Sequence, residues 1–331
     1  MRLRARACAK INLGLKIVGR RGDGFHELRT VFQTIGLADR LEMEIVAGRG
    51  GAAAIELETS GLEAPAGVDN LAYRAALIGA GALGVRGRIR LRLAKRIPSR
   101  AGLGGGSSDA AAVLRMLALA APRPPAPGVL LRLAAELGSD VAPFLIGGTV
   151  LGLGRGAEVY ALPDLFPWHC VLAMPRAGAG AAVSTPEAFS RWDREHPGRD
   201  AGLTAAAGSD TIMEFCSLVD QVLPAFRPGR NRGATAASAA GGPKVQAGIE
   251  NDVQAGVFSL SPDFPRIHLQ LQRSQASWIS LSGSGAAQFG LFSEAEPARA
   301  AAARLNRRYR SWATRFVGRQ AYHRGLRVIA G

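Results

Sequence analysis

The chain has 331 residues, 47% of them hydrophobic and 6% aromatic, with 41 lysines and arginines against 26 acidic residues and a formal net charge of +15. That length can hold two compact domains with real cores, and with a mean hydropathy of +0.08 no apolar run reaches the ~18 residues of a membrane-spanning helix. Only Lys10, Lys16, Lys95 and Lys244 are lysines and the arginines are spread along the whole chain, so much of the charge reads as the bias of a GC-rich coding sequence. It argues against a nucleic-acid patch, and a smaller share suits a cleft that attracts polyanions.

Residues 2–18 and 28–46 alternate apolar positions and predict two strands joined by the turn cluster at Gly19–Gly24. Asp69-Asn70 before Leu71, Ala75, Ala76 and Leu77 predicts a helix start with a side-chain cap. Residues 88–96 alternate apolar and basic residues, as a strand with one buried face does. The run Pro98-Ser-Arg-Ala-Gly102-Leu103-Gly104-Gly105-Gly106-Ser107-Ser108 follows, then an Ala/Leu-rich helix over 107–121. Pro122–Pro127 breaks the pattern, and Val129–Leu137 is a second helix closed by Gly138. Thr149–Leu153 and Cys170–Met174 read as short strands, with the main domain boundary between them. Helical stretches follow at 187–195 and 210–223, then a low-complexity stretch at 227–248 expected to be a mobile loop, because it has little to bury. Trp278–Leu281 and Gln288–Phe292 bracket a turn at Gly283–Gly285, and 294–307 is an Ala/Arg helix.

Strand, glycine loop and helix together form the context of a phosphate site. Glycine admits φ > 0 and removes the Cβ atoms that would hold an anion away. The unpaired N–H groups and positive dipole end of the following helix complete the cradle. No lysine follows the glycines, so a Walker A loop is excluded, and the dinucleotide fingerprint fails because Ser107 stands at its third glycine. Asp140 follows the helix-ending Gly138 and precedes Val141, Pro143 and Phe144; this position suits a capping carboxylate or a site carboxylate equally. On pattern alone, Lys10 inside its strand faces solvent. Cys8, Cys170 and Cys216 are odd in number and far apart, with no Cys-x-x-Cys pair, so neither disulfides nor a zinc site is indicated. Lys10 and Asn12 interrupt any apolar signal core behind the basic Met1–Arg6, and a cytoplasmic protein is expected.

The glycine loop resembles the second motif of the GHMP kinases. So do Ala9-Lys10-Ile11-Asn12, Gly24-Phe25-His26-Glu27-Leu28, Val31-Phe32-Gln33, Asp69-Asn70-Leu71, Gly138-Ser139-Asp140-Val141, Asn251-Asp252 and Ser282-Gly283-Ser284-Gly285. These run in order from about residue 5 to about residue 292, with one poorly matched interval. The resemblance implies an α+β, two-domain GHMP kinase fold. Residues 1–163 form the ATP-binding N-terminal domain, with 315–331 returning to it; residues 164–314 form a ferredoxin-like C-terminal domain containing the 227–248 loop. It implies an ATP-dependent small-molecule kinase of isoprenoid precursor synthesis whose acceptor alcohol carries a cytidine diphosphate group.

Asp140 is then the base that takes the hydroxyl proton, and Lys10 the cation beside it. ATP is held by Asn70, Lys95, Pro98, Gly102, Leu103, Gly104, Gly105, Gly106, Ser107 and Ser108. Magnesium arrives with ATP and takes at most a ligand from Ser107 or Ser108, with no dedicated metal site. The acceptor is held by Asn12, Phe25, His26, Thr185 and Phe189. Phe25 stands where the family usually has tyrosine, which keeps the stacking face and loses the hydroxyl. Gly283, Ser284 and Gly285 form the third-motif turn near the transferring phosphate. A monomer or weak homodimer is expected, with no nucleic-acid or membrane partner. Competing readings are another GHMP small-molecule kinase, such as homoserine kinase, and a basic RNA-binding protein on a related scaffold.

Overall fold

Two long strands organise the first half of the chain. The computed structural model describes residues 1–48, 51–165, 167–176, 183–197 and 250–329; the expected helix at 210–223, the 227–248 stretch and Cys216 lie outside them. β1 (Arg2–Arg20) and β2 (His26–Val46) pair antiparallel along nearly their whole length. The two halves of β2 take different partners. Its first half pairs β5 (Thr149–Gly154), itself paired to β6 (Glu158–Ala161), and its second half pairs β4 (Arg88–Lys95). β3 (Ala54–Gly61) adds parallel to β4, and β11 (Arg327–Ile329) pairs the free edge of β1, so the last described residues sit on the first sheet.

Helices cover one face of this sheet: α1 (Leu71–Leu83), α2 (Gly105–Ala120), α3 (Val129–Leu137) and the short α4 (Ala142–Ile146). Leu41, Met43, Ile89, Leu91 and Leu93 meet Ala76, Ala110, Leu114 and Phe144 in a dry core there. The alanine content of α1 and α2 lets the two helices approach closely; a Cβ at Gly79 would stand 2.8 Å from Leu117 Cδ1.

The second sheet has the order β10-β7-β9-β8, all antiparallel, from β7 (His169–Met174), β8 (Trp278–Leu281), β9 (Gln288–Phe292) and β10 (Arg310–Arg315). Between β7 and β8 lie α5 (Thr185–Glu195), α6 (Gln254–Phe258) and α7 (Asp263–Arg273), and α8 (Ala295–Leu305) connects β9 to β10. With α7 and α8 as its two helices, this is a β-α-β-β-α-β unit of ferredoxin-like topology. The two sheets share a core in which Ile11, Leu13, Val31 and Ile35 meet Leu172, Phe289, Leu291 and Trp192. A short α9 (Arg319–His323) then carries the chain back toward β11. The residues described thus form an α+β protein of two sheets, and no helix among them is long and apolar enough to cross a membrane.

Candidate active site

The central part of β1 is buried on both faces, unlike its ends, because the second sheet and the glycine loop cover what would otherwise be the solvent side. Lys10 is therefore only 4% exposed, and the solvent-facing expectation from its strand pattern is corrected. Breaks in register on either side of it, between Cys8 and Lys10 and between Asn12 and Gly14, turn Lys10 and Asn12 out of the regular pleat. The Lys10 backbone N–H donates to Leu103 O at 3.0 Å, which ties the strand to the glycine loop. Its ammonium donates to Asn12 Oδ1 at 2.6 Å and stands 3.8 Å from Asp140 Oδ2. Burial pulls the Lys10 pKa down, and the Asp140 carboxylate opposes that shift. Asn12 in turn donates to Thr30 Oγ1 at 2.7 Å.

Lys10, Asn12 and Asp140 line a cavity of about 650 Å³ together with the whole run Pro98–Ser107, Asn70 and Lys95, Thr185 and Phe189, and Gly283–Gly285. α2 begins at Gly105, two residues before the predicted start, with Gly104 left-handed at its N-cap (φ 69°) and no acidic residue in its first turn. The positive end of that helix therefore opens on the cavity.

The structure revises the placement of the Ser108 hydroxyl and the reason for the glycines of the loop. Ser108 is fully buried and donates to Cys8 O at 2.7 Å, so of the two serines only Ser107 reaches the cavity. The missing Cβ atoms at Gly102 and Gly104 make room for protein. At Gly102 a Cβ would lie 1.9 Å from Ser282 O, and at Gly104 2.8 Å from the Phe144 ring. At Gly105 it would lie 2.9 Å from Ile97 Cγ2, whereas at Gly106 nothing is nearer than Leu71 Cδ1 at 3.5 Å. Close approach of the third-motif turn is thus one reason for the glycines: Ser282 Oγ donates to Gly102 O, and Ala287 N–H to Ala101 O.

Asn70 caps α1 by accepting from Ala72 N–H at 2.9 Å, and its amide donates to Pro65 O. Lys95 reaches the cavity wall with its ammonium held between two buried carboxylates, Asp39 and Asp109, the latter at 2.7 Å. Asp39 also accepts the backbone N–H groups of Arg96 and Ile97, fixing the entry to the glycine loop. Two carboxylates share one cation, and burial drives the Asp109 pKa well above its ordinary value, with Lys95 opposing the shift. The sequence reading missed Asp39 and Asp109. A signal was present: Asp39 has the parity of Leu41 and Met43, and Lys95 that of Leu91 and Leu93, so both point to the buried face. Asn251, noted in sequence without a role, donates to Leu281 O and Gly283 O and holds the third-motif turn.

The residues predicted to hold the acceptor are brought together in part. His26 stacks on Phe189 at 4.8 Å between centroids and accepts or donates a 2.7 Å hydrogen bond with Asp193. Thr185 bonds Ser284 through their hydroxyls at 2.9 Å. Phe25 is 54% exposed and stands outside the cavity wall with the Arg155 guanidinium over its ring at 4.7 Å; Arg155 itself lines the cavity. Among the described residues no group of three His, Cys, Asp or Glu side chains is placed to hold a metal.

A buried lysine beside a carboxylate, lining one cavity with a glycine-rich helix N-terminus, fits a small-molecule kinase of the GHMP class, and the GHMP kinases N terminal domain matches residues 70–148. The chain is 42% identical to the 4-diphosphocytidyl-2-C-methyl-D-erythritol kinase of Solibacter usitatus over 87% of its own length and 80% of that protein's. It is 40% identical to the enzyme of the same name from Moorella thermoacetica, over 92% and 94%. A crystal structure of 4-(cytidine 5'-diphospho)-2C-methyl-D-erythritol kinase superposes with a TM-score of 0.72 at 34% identity, covering 95% of this chain and 99% of that one. The chain belongs to the 4-diphosphocytidyl-2-C-methyl-D-erythritol kinase family.

Proposed function

We propose that this chain transfers a phosphoryl group from ATP to the 2-hydroxyl of 4-diphosphocytidyl-2-C-methyl-D-erythritol. The observation that carries the assignment is the Lys10–Asp140 pair, 3.8 Å apart in the same cavity wall as the glycine loop. Asp140 Oδ2 accepts the hydroxyl proton as the oxygen attacks. Lys10, its charge uncompensated by solvent, keeps that carboxylate in place and has further N–H donors for an oxygen in the cavity. Asn12 orients Lys10 by accepting one of its protons. Mg-ATP supplies the phosphoryl group and the cation that neutralises charge developing on it. The backbone N–H groups at the start of α2 and the Ser107 hydroxyl are the chain's own contacts for the phosphates.

Thr185, His26 and Phe189 lie at the acceptor end, where the stacked His26–Phe189 pair offers a flat face to a pyrimidine base. In this reading residues 1–163 with 315–331 hold ATP, and residues 164–314 supply Thr185, Phe189 and the third-motif turn. The enzyme acts in the cytoplasm as a monomer or weak homodimer, without a nucleic-acid or membrane partner. The test is ADP release from Mg-ATP with the cytidyl alcohol as acceptor and homoserine as control. Turnover on homoserine with none on the cytidyl alcohol would move the chain to a sibling activity.

A further inference from the structure

The outer face of the first sheet is a ladder of charges read across the strands. Arg2, Glu44, Arg90 and Glu56 alternate in sign along one row, with ion pairs at 3.0, 3.8 and 2.9 Å. Arg4, Glu42, Arg92 and Glu58 alternate along the next, with pairs at 2.7 Å between Arg4 and Glu42 and 3.2 Å between Arg92 and Glu58. The third row breaks the rule. There Arg6 stands directly opposite Arg40, and Ala94 and Ser60 complete the row. Like charges directly opposite each other in a sheet are destabilising. Arg96 adds a third guanidinium at the end of β4.

These three arginines converge on a cleft of about 370 Å³ at the seam of the two sheets, closed on its far side by Trp312 and Thr314 of β10. Among the described residues no carboxylate lines it; the neighbouring Asp39 points to the opposite face and is engaged by Lys95. Among the described residues neither Arg40 nor Arg96 has a carboxylate within ion-pair distance, and the Arg6 guanidinium donates to the backbone carbonyl Gly36 O at 2.9 Å. A fourth guanidinium, that of Arg310, lies 5.4 Å from the centre of the Trp312 ring. The cleft is separate from the candidate active site and shares none of its lining residues.

We propose that Arg6, Arg40 and Arg96 form a second anion site, which takes the di- or triphosphate group of a small molecule. A single phosphate carries too little charge to offset three guanidiniums, whereas a diphosphate matches them and Arg guanidiniums bind phosphate oxygens bidentately. The Trp312 wall lets the ligand carry a flat or apolar portion as well.

The probes are inorganic pyrophosphate and ATP, titrated into the full chain at low salt and followed calorimetrically, with Asp140 and the glycine loop left intact. Wild type should bind pyrophosphate at this cleft in addition to any binding in the active-site cavity. Arg40→Glu replaces the like-charged pair of the third row with one of opposite sign. That variant should melt higher than wild type without ligand, and should lose at least about tenfold in affinity for the cleft-bound equivalent. ADP release by Arg40→Glu should stay near the wild-type rate. Tighter binding of ATP than of pyrophosphate, lost in Arg40→Glu and weakened in Trp312→Ala, identifies a nucleotide as the ligand; equal binding identifies the polyphosphate group alone. The proposal is overturned if Arg40→Glu binds pyrophosphate with unchanged stoichiometry and affinity. It is also overturned if only long polyanions such as RNA, and neither small probe, bind in an Arg40-dependent way.

Discussion

Lys95→Met keeps the length of the side chain and removes the cation shared by Asp39 and Asp109. All three side chains are at most 5% exposed, so no solvent replaces the lost partner. Breaking a buried ion pair by deleting one member costs about 3–5 kcal/mol, because the other charge is left uncompensated. For a unit of roughly 150–250 residues each kcal/mol moves Tm by about 2–4 °C, giving an expected drop of about 6–20 °C at neutral pH.

The loss should depend on pH in a definite direction. Burial already raises the folded pKa of Asp109 above its ordinary 3.8, so the native state holds that proton more tightly than the unfolded chain. Stability from this group is fully present below the unfolded pKa and is lost as pH rises through the folded pKa. Removing Lys95 takes away the largest influence opposing that shift, so the variant's decline with pH is steeper. Differential scanning calorimetry at about pH 5 and about pH 8 measures both effects, and the deficit against wild type should be larger at the higher pH. A variant melting within a degree or two of wild type would refute the reasoning, as would an equal deficit at both pH values.

Asp140→Asn should lower kcat by about 100-fold or more with little change in ATP affinity, as expected when a general base is lost; wild-type turnover in single-turnover assays removes Asp140 from the mechanism. Gly106→Ala should hold or raise Tm, since alanine suits a helix better by about 1 kcal/mol and its Cβ meets only Leu71 at 3.5 Å. Its ATP affinity should nevertheless fall, and unchanged calorimetric binding would place the phosphates elsewhere. Gly105→Val, by contrast, should cost stability first, because its side chain drives into Ile97; thermal denaturation distinguishes the two. Phe189→Ala and Phe25→Ala should each raise KM for the cytidyl substrate and leave KM for ATP unmoved, with Phe189, which lines the cavity, giving the larger effect. Base stacking contributes about 1–3 kcal/mol, and equal losses for both substrates would point to a folding defect.

Many of the strands, helices and glycine turns were legible from local periodicity, although the strand Ala54–Gly61 and the helix Asp263–Arg273 were not read. The Asn70 cap, the helix Val129–Leu137 and the strands Trp278–Leu281 and Gln288–Phe292 fall where alternation, caps and turn residues put them. The ordered motifs were enough to point to the family. Periodicity also states which side of a strand is apolar, which is why Asp39 and Lys95, at buried parity, could have been paired. It does not state what covers the other side. Lys10 reads as a surface lysine until the second sheet and the third-motif turn close over β1, and Ser108 reads as a phosphate ligand until α2 turns its hydroxyl toward Cys8. The same holds for Gly102, whose missing Cβ is filled by a carbonyl 180 residues away in the chain. Residue type and local spacing set what each segment can form; which groups meet in a dry interior is decided by the packing of distant layers, where burial changes a charge from solvated to reactive.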